Sequence, residues 1–149
     1  MTNKHIAPVQ LWWRVEGQDE YQEMDEGNPL PVQILPGEKV ESDFRSALVA
    51  TVVSGKPAGG RLLAVYVTNP NTVSEWVQFF DKGASEVVLG TTVPKFSLGV
   101  PKGASATDVG AMEWTVGVDF DHAISYAATT TPTGNTAPTT GLTANFFFR

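Results

Sequence analysis

The 149-residue sequence predicts an all-β fold, an antiparallel β-sandwich that is jelly-roll-like. Three observations carry that expectation. Residues 61–101 (RLLAVYVTNPNTVSEWVQFFDKGASEVVLGTTVPKFSLGVP) break into short Val-, Leu- and aromatic-rich runs punctuated by Asn, Pro and Gly clusters, the spacing of consecutive antiparallel strands. Alternation of period two returns further on. Trp114, Val116, Val118 and Phe120 share one side of 112–120, and Phe146 and Phe148 oppose Phe147. Counting such runs gives eight or nine strands with almost no helix and turns every eight to twelve residues, which suits two packed sheets.

Taken in order, residues 6–15 (IAPVQLWWRV) read as a strand, with Pro8 restricting it to an edge or a strand start. Trp12 and Trp13 are adjacent, so their rings leave opposite faces and one of them needs cover from a loop or a partner. Residues 16–28 contain Glu16, Asp19, Glu20, Glu23, Asp25 and Glu26 and no base, and read as a solvated loop. The segment Asn28-Pro29-Leu30-Pro31 forces extended backbone, and Val32 to Leu35 continue it as a short strand or arm. Pro36-Gly37 is a turn, and 38–45 is polar with a weak helical turn. The expected division is an extended N-terminal arm with its acidic loop over 1–45 and a sandwich over 46–149.

Within the sandwich, 46–53 (SALVATVV) is a β-branched strand and 54–60 (SGKPAGG) a loop by composition. Strand 46–53 is a candidate hairpin partner for 61–68. The central stretch supplies strands at 61–68, 75–80, 86–89 and 95–100, separated by the turns at 69–71 and 82–83 and the loop 90–94. Residues 102–110 form a small-residue loop, 112–120 and 124–130 are strands, and the Thr/Pro/Gly-rich 131–141 is a surface loop. The strand 142–148 (LTANFFF) closes the sequence. Phe146 and Phe148 enter the core, leaving Phe147 for another layer or an interface.

Composition narrows the function. The net charge is −6 and the ten Lys and Arg residues are scattered, so nucleic-acid binding, which needs clustered cations, is not expected. No cysteine is present, which removes disulfides and thiolate metal sites. No apolar run reaches the roughly 18–20 residues of a membrane-spanning helix. The first residues, MTNKHIAPVQ, have no apolar stretch of the signal-peptide kind.

Residues that could do chemistry are few. His5 falls near the N-terminus. His122 follows Asp119 and Asp121, but its strand position sets it opposite both, so a metal site there would need further ligands. Asp19, Glu20, Glu23, Asp25 and Glu26 lack the alternation of a calcium loop. Glu75, Glu86 and Glu113 are the carboxylates available for glycoside hydrolysis, with no spacing that pairs them. No nucleophile elbow or phosphate-cradling loop occurs. No enzyme activity, cofactor or metal is expected.

Several stretches carry a resemblance when taken together. They are Asn28–Ile34 after an acidic lead-in, Tyr66 with Asn69, Val77-Gln78-Phe79-Phe80-Asp81, Gly90-Thr91-Thr92-Val93-Pro94, and Leu98-Gly99-Val100-Pro101-Lys102-Gly103. Ala127-Ala128-Thr129-Thr130-Thr131, Gly134-Asn135-Thr136-Ala137-Pro138 and Asn145-Phe146-Phe147-Phe148 complete the order. This ordered set, over about residues 28–149, resembles small virion proteins of tailed bacteriophages. The resemblance implies a β-sandwich structural protein of the virion, above all a capsid decoration protein. Such a protein would bind the major capsid protein, stabilise the head, sit on the capsid surface as a homotrimer, and be made in the host cytoplasm. A head spike, fibre base or tail component is the nearest alternative. A carbohydrate-binding adhesin module is the alternative from another class, with Trp76 and Trp114 as its aromatics. The expected partner-binding residues are Trp12, Trp13, Pro29, Leu30, Pro31, Val32, Ile34 and Phe147. No nucleic-acid or membrane partner is expected.

Overall fold

The computed structural model describes residues 12–14, 21–23, 39–103, 110–114 and 117–149. The chain divides into two compact units, Met1–Gly37 and Glu38–Arg149. In the first, strands β1 (Trp12–Arg14) and β2 (Tyr21–Glu23) pair antiparallel, with Trp12 opposite Glu23 and Arg14 opposite Tyr21. The acidic stretch expected to be entirely loop therefore holds a strand at its aromatic residue, where β propensity is highest. The proposed contacts Pro29, Leu30, Pro31, Val32 and Ile34, and the extended arm they belong to, lie outside the described residues.

The second unit is all-β. Its strands are β3 (Glu41–Leu48), β4 (Val53–Lys56), β5 (Gly60–Asn69), β6 (Glu75–Phe80), β7 (Phe96–Val100), β8 (Gly110–Trp114), β9 (Val118–Phe120), β10 (Ile124–Thr129) and β11 (Leu142–Phe148). One sheet has the order β3-β11-β5-β8, with β9 also paired to β5; the other has the order β4-β10-β6-β7. Every pairing is antiparallel. Counting β8 and β9 as one interrupted strand, the sequence passes between the sheets in the order of two Greek keys, which makes the sandwich a jelly roll.

Several local expectations are corrected. The polar stretch 38–45 forms most of β3 instead of a helical turn, so the first sandwich strand begins at Glu41. As an edge strand β3 can afford polarity, and Asp43 and Arg45 on it are inward-facing charges of the sort that protect sheet edges. The run 46–53 is not one strand, and neither β3 nor β4 forms a hairpin with β5. β3 pairs with β11 and β4 with β10. The Gly-rich stretch 54–60 contributes three residues to β4. Gly55 is there for close approach: a Cβ at this position would lie 2.6 Å from the Tyr126 ring and 2.8 Å from the Phe148 ring. Residues 86–89 form no strand. A short 3₁₀ turn, Ala84–Glu86, occupies the site, and the Glu86 carboxylate accepts the Gly83 N–H at 2.9 Å. The run 112–120 is split between β8 and β9.

The inward faces interlock in an aromatic column. Tyr126 stacks on Phe146 with ring centroids 4.0 Å apart, Phe79 meets Phe146 edge-on at 5.8 Å, and Phe96 stacks on Phe79 at 4.6 Å. Leu48, Leu62, Val65, Val67, Val77 and Ile124 fill the spaces between them. Each such side chain contributes about 1.5–3 kcal/mol by leaving water.

The outward faces of the two sheets differ. On the β4-β10-β6-β7 sheet the chain's own loops fold across the strands. Gln78 donates to Thr129 Oγ1 at 2.6 Å and to the Gly134 carbonyl at 2.9 Å, Ser97 donates to the Pro132 carbonyl, and Ser125 donates to the Lys82 carbonyl. All six residues of β10 are consequently buried.

Asp81 ties the loop after β6 to the turn before β10. Its carboxylate accepts the His122 N–H at 2.8 Å, the Asp121 N–H at 3.1 Å and the Lys95 ammonium at 3.0 Å. Burial by itself would raise its pKa, but these donors outweigh burial and hold it well below the usual carboxylate range. A lowered carboxylate pKa adds stability above the unfolded value of about 3.9 and loses it as pH falls through the folded value. Asp81→Asn is expected to cost about 1–3 kcal/mol at pH 7. Urea midpoints should show the gap to wild type narrowing below about pH 4.

Candidate functional site

The outward face of the β3-β11-β5-β8 sheet carries exposed aromatic side chains. Cross-strand register sets Phe44, Asn145, Tyr66 and Glu113 in one row, with Ser42, Phe147 and Ala64 in the next. Phe44 is 60% exposed, Tyr66 44% and Phe147 37%. Phe147 on β11 is a diagonal neighbour of both Phe44 and Tyr66, which lie on the two flanking strands with Asn145 between them. Glu113 carries the one charge among the described residues of these two rows. An aromatic, nearly uncharged patch with a polar margin has the composition of a recognition surface.

This arrangement follows from alternation. On β11, Leu142, Ala144, Phe146 and Phe148 turn inward and are fully buried, which delivers Phe147 to the outside. On β5, Tyr66 lies between the buried Val65 and Val67 and is turned outward in the same way. Sequence reasoning selected Phe147 but neither of its neighbours. Tyr66 carried a usable signal, its place between two inward valines. Phe44 was hidden in a stretch too polar to read as a strand.

The other residues singled out by sequence are dispersed. Trp12 and Trp13 belong to the separate N-terminal unit. Trp76 is half-buried, with its ring against Gly99 on β7, and belongs to the opposite sheet. Trp114 lies on β8. Asp119 pairs with Arg61 at 3.7 Å, whereas Asp121 and His122 both donate backbone N–H groups to Asp81. Among the described residues, no three His, Asp or Glu side chains gather as metal ligands. His5, Asp19, Glu20, Asp25 and Glu26 lie outside the described residues.

Nor are the three glutamates brought to one cleft. Glu86 closes the 3₁₀ turn, Glu113 is exposed on β8, and Glu75 is sealed inside at 1% exposure. Glu75 shares the inward face of β6 with Val77 and Phe79, and neither of its carboxylate oxygens has a hydrogen-bond partner among the described residues. Burial raises its pKa. A raised carboxylate pKa means that stability is full below the unfolded value of about 4.3 and is lost as pH rises through the folded value. Glu75→Gln is therefore expected to stabilise the protein by about 1 kcal/mol at pH 7. Thermal melts across pH 4–8 should show a flatter profile than wild type.

No family model, curated protein or solved structure matches the chain.

Proposed function

We propose that this chain is a structural protein of a tailed-bacteriophage virion, specifically a capsid decoration protein that binds the major capsid protein lattice as a homotrimer and stabilises the head. The observation that carries the reading is the difference between the two sheet faces. One is closed by the chain's own loops, while the other exposes Phe44, Tyr66 and Phe147 on a rigid sandwich. A rigid fold with a low charged fraction of 17% and one aromatic face suits permanent docking onto another protein, since large aromatic anchors carry most of the energy of such contacts. The ordered resemblance over about residues 28–149 supplies the phage context.

Sedimentation of the protein with undecorated capsids tests the reading. Wild type is expected to sediment alone as a trimer and to join heads at a fixed ratio. The triple variant Phe44→Ser/Tyr66→Ser/Phe147→Ser should bind at least about 30-fold more weakly, the effect of losing one or more hot spots of about 2 kcal/mol. Wild type that ignores heads but joins tails would move the protein to a head-spike, fibre-base or tail position. A variant that binds as wild type does would remove this face from the contact.

A carbohydrate-binding module is the second reading. It is favoured by the alternation of Phe44 and Tyr66 with Asn145 and Glu113 along one row, which joins stacking rings to hydrogen-bonding groups. Glycan-array binding that disappears in Tyr66→Ala with the fold intact would support it over decoration.

A further inference from the structure

The exposed rings of the β3-β11-β5-β8 sheet stand at a definite spacing. Phe44, Asn145 and Tyr66 form one row across three adjacent strands. A residue in an antiparallel sheet lies about 5.5 Å from its hydrogen-bonded neighbour and about 4.5 Å from the neighbour on its other side. The Phe44 and Tyr66 backbones are therefore about 10 Å apart. Side chains stand roughly perpendicular to a sheet, so the two rings flank the half-exposed Asn145. Phe147, the next outward residue of β11, closes one end of the gap. The result is a slot with aromatic walls and an amide floor.

The polar groups of the slot match one kind of occupant. The Asn145 amide and the Tyr66 hydroxyl have no hydrogen-bond partner among the described residues, and both can donate to a backbone carbonyl. Glu113 stands beside Tyr66 in the same row, exposed and without a cation partner among the described residues. A polyproline II segment repeats every three residues, over about 9.3 Å. Laid across the strands, it would set residues i and i+3 against Phe44 and Tyr66, which a separation of about 10 Å accommodates. A β-strand repeats over about 6.8 Å and fits that spacing less well. The backbone of a polyproline II segment has no internal hydrogen bonds. Its prolines also lack the N–H, so it presents acceptors to the two donors of the slot. Beyond Tyr66, the Glu113 carboxylate would meet a lysine or arginine next to the prolines.

We infer that this slot takes an extended, proline-rich segment of the partner protein, with a basic residue flanking the prolines beside Glu113. The inference rests on the reading of this face as a protein-docking surface and specifies how the docking is made. Aromatic slots hold such segments at low entropic cost, because the segment is extended before it binds. Charge complementarity to the single carboxylate fixes which end of the segment lies over β8.

Isothermal titration of the full chain with three peptides tests it: decaproline ending in arginine, decaproline ending in glutamate, and a glycine–serine peptide of the same length ending in arginine. The arginine-tailed decaproline is expected to bind with a Kd of about 1 mM or tighter. It should bind about threefold more tightly than the glutamate-tailed form, the effect of one exposed charge pair, and the glycine–serine peptide should give no saturable heat. Phe44→Ala and Tyr66→Ala should each weaken decaproline binding at least about fivefold. Glu113→Gln should abolish the preference between the two tails and leave decaproline binding in place. The inference is overturned if neither decaproline binds, if the glycine–serine peptide binds equally well, or if both aromatic variants keep full affinity. Urea midpoints distinguish lost binding from lost fold, and the wild-type titrations decide the matter even where a variant fails to fold. Sedimentation with capsids separates this inference from the decoration reading. Capsid binding that needs the three rings, without peptide binding, removes the inference alone. Peptide binding without capsid binding upholds the inference and removes decoration. Glycan binding lost in Tyr66→Ala, or self-association lost in Phe44→Ala, overturns the inference where no peptide binds, giving the face to a carbohydrate or to a second copy.

Discussion

Phe146→Ala is expected to lower stability by about 3–5 kcal/mol, the usual cost of emptying a buried aromatic site. Phe146 is fully buried at the middle of the aromatic column, stacked on Tyr126 and edge-on to Phe79. Both neighbours belong to the opposite sheet and are anchored by their own strands, so the space cannot close by a small shift. Set against a typical domain stability of 5–15 kcal/mol, the loss shows as a large fall in the urea midpoint. Phe147→Ala, one residue along, is expected to cost below about 1 kcal/mol, since that ring faces outward. Equal losses at the two positions would mean that β11 is displaced by one residue, because a one-residue slip exchanges the faces of every side chain on a strand.

Asp43→Ala should cost about 2–3 kcal/mol. The Asp43 carboxylate accepts the Tyr126 hydroxyl and, at 3.0 and 2.7 Å, the Nε and Nη2 of Arg45. Tyr126 is fully buried, so its hydroxyl depends on that carboxylate for a partner. Burial, and then donation to Asp43, push the Tyr126 pKa well above the ordinary phenol value, whereas Arg45 pulls the other way. Loss of Asp43 leaves the hydroxyl without its acceptor inside the sandwich. Adding Tyr126→Phe to Asp43→Ala should therefore restore part of the loss, as a double-mutant cycle of urea midpoints would register. A purely additive cycle would mean that the two groups do not interact.

The sequence was most legible where a strand has one face in the core. β5, β6 and β11 were readable because Val65 and Val67, Val77 and Phe79, and Phe146 and Phe148 recur at period two. Pattern failed where strands serve other ends. β3 is an edge strand whose inward positions hold the Asp43–Arg45 pair, so it looks like a polar loop. β4 contains a glycine because the Tyr126 and Phe148 rings press against its backbone, and that glycine reads as a turn. Val87-Val88 follow Glu86 and look like a strand, but the Glu86 carboxylate closes a 3₁₀ turn instead. The strand order could not be read at all, since each sheet pairs segments far apart in the chain. For the same reason only Phe147 of the exposed face was foreseen.

The position of β11 governs when this molecule can exist. It lies between β3 and β5, the second strand of its sheet, yet of the strands in this sandwich it comes last in the chain. Until residues 142–148 have left the ribosome, β3 has no neighbour in its sheet and the aromatic column lacks Phe146 and Phe148. The sandwich thus forms after translation of its final strand rather than piece by piece, through pairings of high sequence separation that close slowly. An incomplete chain would present the apolar faces of β5 and β10 to solvent, the kind of surface on which unfinished β proteins associate wrongly.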